Sequence, residues 1–316
     1  MSPSPDLPFD LDRAARTFAE TGFFVAPSVI EEAACDRVLA ALSALIERVA
    51  SDHLSGRRTE RAFWKLLAAS AHTADVFFDP SPPPSGSPPL AELPAAAWES
   101  RAMRIGHGLH LAEPAFADLA RRPEIARPLA RFTHVAARLS TGDSIEDAAL
   151  NKYSEQPLSP PWPPPARAVQ SAVIYKQPHS DLVQFGFHRD SAYLPNDPES
   201  LVLAFVALDA TTPENGCLEV IPGTHTQPLG VRLLLGPDGF EAVGREPRPP
   251  AERRVLLPLA RGSVAFVHGR TLHASAPNRS GGPRRALIVH AMSQASSLSA
   301  DSWVKVPPSG FAPLDS

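Results

Sequence analysis

Apolar residues recur at three- and four-residue spacings in the first third of the chain and as short β-branched or aromatic runs in the second half. The first pattern predicts a short helix over Asp10 to Glu20 that stops at Gly22, then a brief apolar strand from Phe23 to Pro27. A second helix is expected to open at Ser28, with Glu31 three residues on completing a capping box. In it Val38, Leu39, Leu42, Leu45, Ile46 and Val49 share one face, as in a helix with one buried side. Glu113 to Arg138 also reads as helical, broken by Pro123 and Pro128. After Arg167 the runs at 172–177, 182–188, 201–208, 217–221, 263–268 and 286–292 are separated by Gly, Pro, Asn and Asp. Short strands with turn signals and no helices between them predict an antiparallel sandwich or barrel.

The proline clusters at 80–89 and 157–167 exclude helix and inner strand, so both are expected to be surface loops. The stretch from Gly230 to Arg254 is rich in Gly, Pro and charge and reads as a long loop of the functional or mobile kind. At 316 residues one large domain, 1–316, is expected, able to bury a core without staples. A formal net charge of −4 gives no general attraction for nucleic acid, and Trp64, Trp98, Trp162 and Trp303 do not interleave with basic residues. The longest apolar stretch, Leu201 to Leu208, is far short of the ~20 residues a membrane helix needs. Two cysteines make no disulfide framework, and the N-terminal residues lack the pattern of a secretory signal. A cytoplasmic protein, monomer or homodimer, with neither nucleic-acid nor membrane partner, is the expectation.

The chemistry sits in FGFHRDSAY. Residues i and i+2 of an extended chain face the same side, so His188 and Asp190 can reach one metal ion. His273 follows 83 residues later, just past the strand 263–268. Two imidazoles and one carboxylate form the facial triad that suits non-haem Fe(II) and leaves coordination positions open. An HxD triplet alone is a weak signal, but the run from His273 to Leu287 adds to it. Ser275 shares the face of His273 two residues on, and Arg284 offers the planar fork suited to a carboxylate. Lys176 and Gln177, on the preceding strand, are candidates for the pocket wall, with an outward-facing strand position the equal alternative for Lys176. His107 and His110 hint at a second metal site by spacing, but pocket-lining or hydrogen-bonded histidines are the preferred reading. His225 reads as a turn residue, Asn215–Gly216 as a turn, and Cys217 as buried and inert.

HRD at 188–190, ENGCLEVIPGTH at 214–225 and HASAPNRS…PRRAL at 273–287 together resemble the phytanoyl-CoA dioxygenase family of Fe(II)- and 2-oxoglutarate-dependent oxygenases. VIYKQPHSD, RIGHGLH at 104–110 and FAETGFFVAPSVI extend the resemblance over roughly residues 12 to 292, and are most similar to the subgroup named phytanoyl-CoA dioxygenase domain-containing protein 1. The resemblance implies a mainly β fold with helices (α+β). Its core would be a double-stranded β-helix, a cupin-like jelly roll, over about 168–306, with a helical part over about 10–150 packed on one sheet. It implies His188, Asp190 and His273 as iron ligands and Arg284 as the grip on the far carboxylate of 2-oxoglutarate, with the Ser275 hydroxyl beside it. It places Arg104 where a basic residue reaches the co-substrate. Phe205 stands where the family commonly has Trp, which keeps an aromatic wall and loses an indole N–H. Arg189 replaces the usual Gln; it either favours an anionic substrate beside the metal or points to solvent. Loops 80–98, 155–170 and 230–254 are expected to rim the entrance. The implied activity consumes 2-oxoglutarate and O2, releases succinate and CO2, and hydroxylates an unactivated C–H of a small-molecule substrate. Related halogenating enzymes carry a small residue at the position of Asp190. Two other readings remain: a non-catalytic sensor that keeps the fold and binds 2-oxoglutarate or metal, and, ranked lower, a zinc hydrolase.

Overall fold

A computed structural model describes residues 7–55, 63–79, 92–149, 165–236, 238–246 and 251–314. The two proline clusters lie largely outside these residues, as does Trp162. Asp10 caps helix α1 (Leu11–Thr21) by accepting from the backbone of Asp12 and Arg13, and Gly22, at φ 85°, ends it in the left-handed region. Strand β1 (Phe23–Ala26) and helix α2 (Glu32–Leu54) follow. The expected capping box is absent. Glu31 occupies the N-cap without a side-chain bond, and Ser28, at φ 48°, donates its N–H to Ser263 Oγ at 3.0 Å. Ser28 therefore stitches the chain to a distant turn instead of starting the helix.

Next come α3 (Phe63–Ala69), β2 (Ala74–Phe78), β3 (Ala102–His107) and α4 (Leu109–Ala112). The region read as one broken helix is α5 (Pro114–Ala120) and α6 (Pro123–Ser140). Pro123 does break it, at the first turn, where a missing N–H costs nothing. Pro128 does not: α6 runs through it, because Ile125, Leu129, Phe132 and Val135 bury a continuous face that outweighs the lost bond.

After α7 (Ile145–Ala149) the chain is β: β4 (Ala166–Lys176), β5 (Phe185–His188), β6 (Asn196–Asp197), β7 (Val202–Ala207), β8 (Leu218–Val220), β9 (Val231–Gly236), β10 (Gly239–Gly244), β11 (Val255–Leu257), β12 (Val264–His268), β13 (His273–Ser275), β14 (Arg284–Ser293) and β15 (Ser297–Leu298). Seven strands form one antiparallel sheet in the order β1-β12-β7-β14-β4-β3-β2, and four form a second in the order β11-β8-β13-β5. This is the expected jelly roll with helices on one sheet. Alternation along β14 shows how it is built. Ala286 and Ile288 face the second sheet with Phe205 and Leu218, while Leu287 and Val289 face the helices with Phe132 and Phe266. The Phe18 and Phe132 rings stack at 4.6 Å in that outer layer.

Two features depart from expectation. β2 and β3 widen the large sheet where no strand was anticipated. The segment 230–254, read as a loop, contains the hairpin β9–β10, paired with neither sheet. No helix among the described residues is long and apolar enough to cross a membrane.

Candidate metal centre and anion pocket

β5 ends at His188, and Asp190 opens a short 3₁₀ turn, Asp190–Ala192. Arg189 between them is extended (φ −123°, ψ 133°), so the two flanking side chains still share a side although the strand has ended. β13 begins at His273, which pairs with His188 across the ladder. The rings lie 4.3 Å apart, and both Nε2 atoms converge on Asp190 Oδ1, at 3.6 Å from His188 and 3.7 Å from His273. Among the described residues this is the one group of three His, Cys, Asp or Glu side chains whose ligand atoms all come within 4.8 Å of one another.

The backbone fixes which ring nitrogen is available. Nδ1 of His188 lies 2.8 Å from Gly186 O and Nδ1 of His273 lies 2.9 Å from Thr271 O. A carbonyl only accepts, so each Nδ1 carries a proton and Nε2 is the ring atom that faces inward, where a metal could be ligated. Burial, then the neighbouring His273, pushes His188 down to about 4, which keeps it neutral at pH 7, the form that binds metal. Burial opposes ionisation of Asp190, but His290, His273 and His188 outweigh it and hold the carboxyl well below its usual range. Two imidazoles and one carboxylate are a donor set that fits a divalent transition metal.

Arg284, at the first position of β14, is fully buried. Its Nη2 donates to Gly216 O at 2.8 Å and to Ser275 Oγ at 3.1 Å, whereas Nε and Nη1 have no hydrogen-bond partner among the described residues. Lys176 Nζ donates to Ser275 Oγ at 2.6 Å and to the Ala276 carbonyl. Burial, then Arg284, lowers Lys176 to about 6, and burial lowers Arg284 to about 10. Arg284, still charged, thus meets the Lys176 amine at one hydroxyl with no carboxylate hydrogen-bonded to either, and two guanidinium nitrogens have unused donors. Buried donors of this kind need an acceptor, so the pocket fits an anion. Gly216 (φ 78°) makes the approach possible: a Cβ there would lie 2.0 Å from Ala276 O.

The metal and anion sites open into one cavity of about 350 Å³. Phe205, Leu203 and Ile288 wall it from the large sheet, Leu218 from the small one, and Leu233 and Phe240 from the hairpin. Trp303 closes it, packed edge-on against His107. Arg104 also lines it, with a buried Nε that has no hydrogen-bond partner among the described residues; burial lowers its pKa.

Two candidate residues lie elsewhere. The Gln177 amide donates to the carbonyls of Glu99 and Ala102 at 2.8 Å each, tying down the segment before β3, and is not among the residues that line this cavity. Arg189 meets neither the metal side nor solvent. As the middle residue of an extended triplet it points the opposite way, 2% exposed, onto Glu246 Oε1 at 3.0 Å and Thr224 O at 2.8 Å. His107 and His110 bond Ser70 and Ser171 separately, and His225 bonds Ala19 O. Sequence reasoning missed His290, whose Nε2 lies 3.0 Å from Asp190 Oδ2, and Tyr193, whose hydroxyl donates to Asp190 Oδ1. His290 was within reach: it stands six residues after Arg284 on one strand, hence on the same face.

The phytanoyl-CoA dioxygenase (PhyH) family profile matches residues 18–286. The chain is 35% identical over 218 residues to phytanoyl-CoA dioxygenase domain-containing protein 1 of Bos taurus and 29% identical over 218 residues to that of Mus musculus. Each match covers 67% of this chain and 65% of the relative's own length. Among solved structures, the epimerase SnoN in complex with Fe3+, alpha ketoglutarate and nogalamycin RO superposes with a TM-score of 0.57 at 19% identity, covering 96% of this chain and 92% of that one. At that identity the likeness is one of fold.

Proposed function

Because this chain belongs to the phytanoyl-CoA dioxygenase family, we propose that it is an Fe(II)- and 2-oxoglutarate-dependent dioxygenase that hydroxylates an unactivated C–H bond of a small-molecule metabolite. The observation that carries the proposal is the pairing of the His188, Asp190 and His273 donors with the unused guanidinium donors of Arg284 in one cavity. When bound, iron and 2-oxoglutarate supply the oxidising chemistry, which activates O2 and leaves succinate and CO2.

The protein's part is binding, orientation and exclusion of water. His188, Asp190 and His273 hold the metal. Arg284 and the Ser275 hydroxyl receive the far carboxylate of the co-substrate, with Lys176 holding Ser275 in place and Phe205 walling that end. Arg104 adds positive charge at the other side of the cavity, within reach of the electrostatic field of Asp190 and Tyr193. Leu233, Phe240 and Trp303 supply an apolar, largely dry wall for the substrate body, which suits a compact apolar molecule.

Anaerobic titration with Fe(II) and 2-oxoglutarate, followed by visible absorption, tests this without a known substrate. A weak charge-transfer band is expected in the parent protein and its loss in Asp190→Ala and Arg284→Ala. Succinate release on adding O2 then separates the enzyme from a sensor, which would show the band without turnover. Absence of the band despite bound metal would end the 2-oxoglutarate reading.

A further inference from the structure

We infer that Tyr193 is a site of oxidative self-modification: when the cavity holds no substrate, the ring carbon beside its hydroxyl is itself hydroxylated, at the expense of O2 and 2-oxoglutarate. This rests on the dioxygenase reading above. The spacing in the sequence places the ring. Tyr193 directly follows the 3₁₀ turn Asp190–Ala192. A 3₁₀ helix has about three residues per turn, so positions i and i+3 eclipse and Tyr193 stands over Asp190. The backbone N–H of Tyr193 donates to Asp190 O at 3.1 Å. The phenol hydroxyl donates to Asp190 Oδ1, the oxygen on which the Nε2 atoms of His188 and His273 converge. Backbone and side chain together hold the phenol against the carboxylate oxygen that faces the metal position.

The ring lines the cavity, and its centroid lies 6.4 Å from that of His188. The carbons flanking the hydroxyl-bearing one are the most electron-rich of a phenol. Here they are also the ring carbons carrying hydrogen that lie nearest the ligand carboxylate. Other rings in the wall are poorer targets. Phe185 lies 6.1 Å from His188 but has no activating hydroxyl. Phe205 lies under the Arg284 guanidinium at 5.7 Å, at the end the co-substrate fills. Trp303, the other electron-rich ring, is anchored on His107 at 4.9 Å rather than on a metal ligand. The reaction balances as a substrate hydroxylation does. A ring C–H bond breaks, and a C–O and an O–H bond form. One atom of O2 enters the new hydroxyl and the other enters succinate, while CO2 leaves. The ring and 2-oxoglutarate each give up an electron pair, and O2 takes both pairs. A seated substrate offers its own C–H bond to the oxidant, so a catechol at Tyr193 records turnover in an empty cavity. A catechol also chelates ferric iron, so each such event disables its own site.

The full chain, loaded with Fe(II), is given 2-oxoglutarate and O2 with no substrate, then digested and mapped by mass spectrometry. The expected result is a gain of one oxygen atom on the ring of Tyr193; with isotopically labelled O2 the gain carries the label. Adding Fe(III) to the reacted protein should then produce the broad visible band of an iron catecholate, lost in Tyr193→Phe treated alike. A second sample receives Fe(II), ascorbate and hydrogen peroxide without 2-oxoglutarate, which oxidises a ring beside bound metal and needs no turnover. Tyr193 should be modified there as well. Unmodified Tyr193 alongside succinate release in the first sample would overturn the inference and leave the dioxygenase reading standing. So would modification of Phe185, Phe205 or Trp303 in its place. Peroxide that leaves Tyr193 untouched would show that metal does not sit beside this ring, and would overturn the inference too. No succinate and no modification in the first sample would strike the dioxygenase reading, and this inference with it, whatever peroxide does in the second. If Tyr193→Phe does not fold, the peptide map alone locates the oxygen.

Discussion

Arg284 lies at 0% exposure, with two hydrogen bonds from Nη2, unused donors on Nε and Nη1, and no carboxylate hydrogen-bonded to it. Without an anion it is a burden on the fold; with one it is a grip. Replacing it should therefore separate stability from function. Arg284→Met is expected to weaken 2-oxoglutarate binding by a few kcal/mol, about 100-fold or more, as for loss of a charge-assisted contact. It should also melt higher than the parent when no co-substrate is present, because an uncompensated buried charge has been removed. Isothermal binding and a thermal melt check the two halves; a lower melting temperature with intact binding would refute both. At this scale much was legible. The shared side of His188 and Asp190 follows from extended geometry alone, whereas Arg284, which by itself reads as a solvated basic residue at a strand entrance, is reached only through the triad and the family resemblance. Arg189 and Gln177 turn away from the cavity for a common reason. Sequence shows which side of a strand a residue takes, but not whether a distant carboxylate or carbonyl will bury it there, as Glu246 and Glu99 do.

The hairpin of β9 and β10 is the element that links the metal motif to the substrate side. Leu233 and Phe240 reach the cavity, and Glu246, just past β10, accepts from Arg189, the residue between the two ligands of the triplet. Glu246 also accepts from the Gly230 N–H at the hairpin's other end, so one carboxylate closes its base. Glu246→Gln leaves Arg189 buried without its counter-charge, and should destabilise the protein by about 3 kcal/mol in urea unfolding. Proteolytic cleavage within 231–244 should accelerate in the same variant; unchanged cleavage would show that the hairpin is held by other contacts. This element was misread because Gly236, Gly239 and Gly244 and the surrounding charges look like loop, whereas the glycines mark the turn and ends of a two-stranded ribbon. β2 and β3 were missed for a related cause. Arg104 and Gly106 interrupt the apolar alternation of β3, yet Arg104 turns into the cavity and Gly106 lets Ala172 of β4 approach within 2.6 Å of where a Cβ would sit. Functional positions broke the pattern that would have revealed the strand.

Across the molecule, the large sheet separates two environments, helices outside and the site within, and several histidines are buried along it. Burial holds His107 and His268 well below the usual histidine value and lowers His110 to about 4. All three remain neutral in the folded protein while the unfolded chain takes up protons below pH ~6.5. Stability is thus full above that value and falls as pH drops from 6.5 toward 4. His110, at 7% exposure, alone accounts for up to about 3 kcal/mol of the loss. The melting temperature should be flat from pH 8 to 7 and decline steadily to pH 5; a flat profile to pH 5 would mean these rings are protonated or solvated in the native state. Trp303 adds a practical consequence. It is 6% exposed in the cavity wall, while Trp98, at 1%, sits apart in the outer core. An indole in that wall is a built-in optical reporter. A compound that enters and displaces water will change the colour and yield of its emission, so a library of unlabelled molecules can be sorted by fluorescence before any product is known.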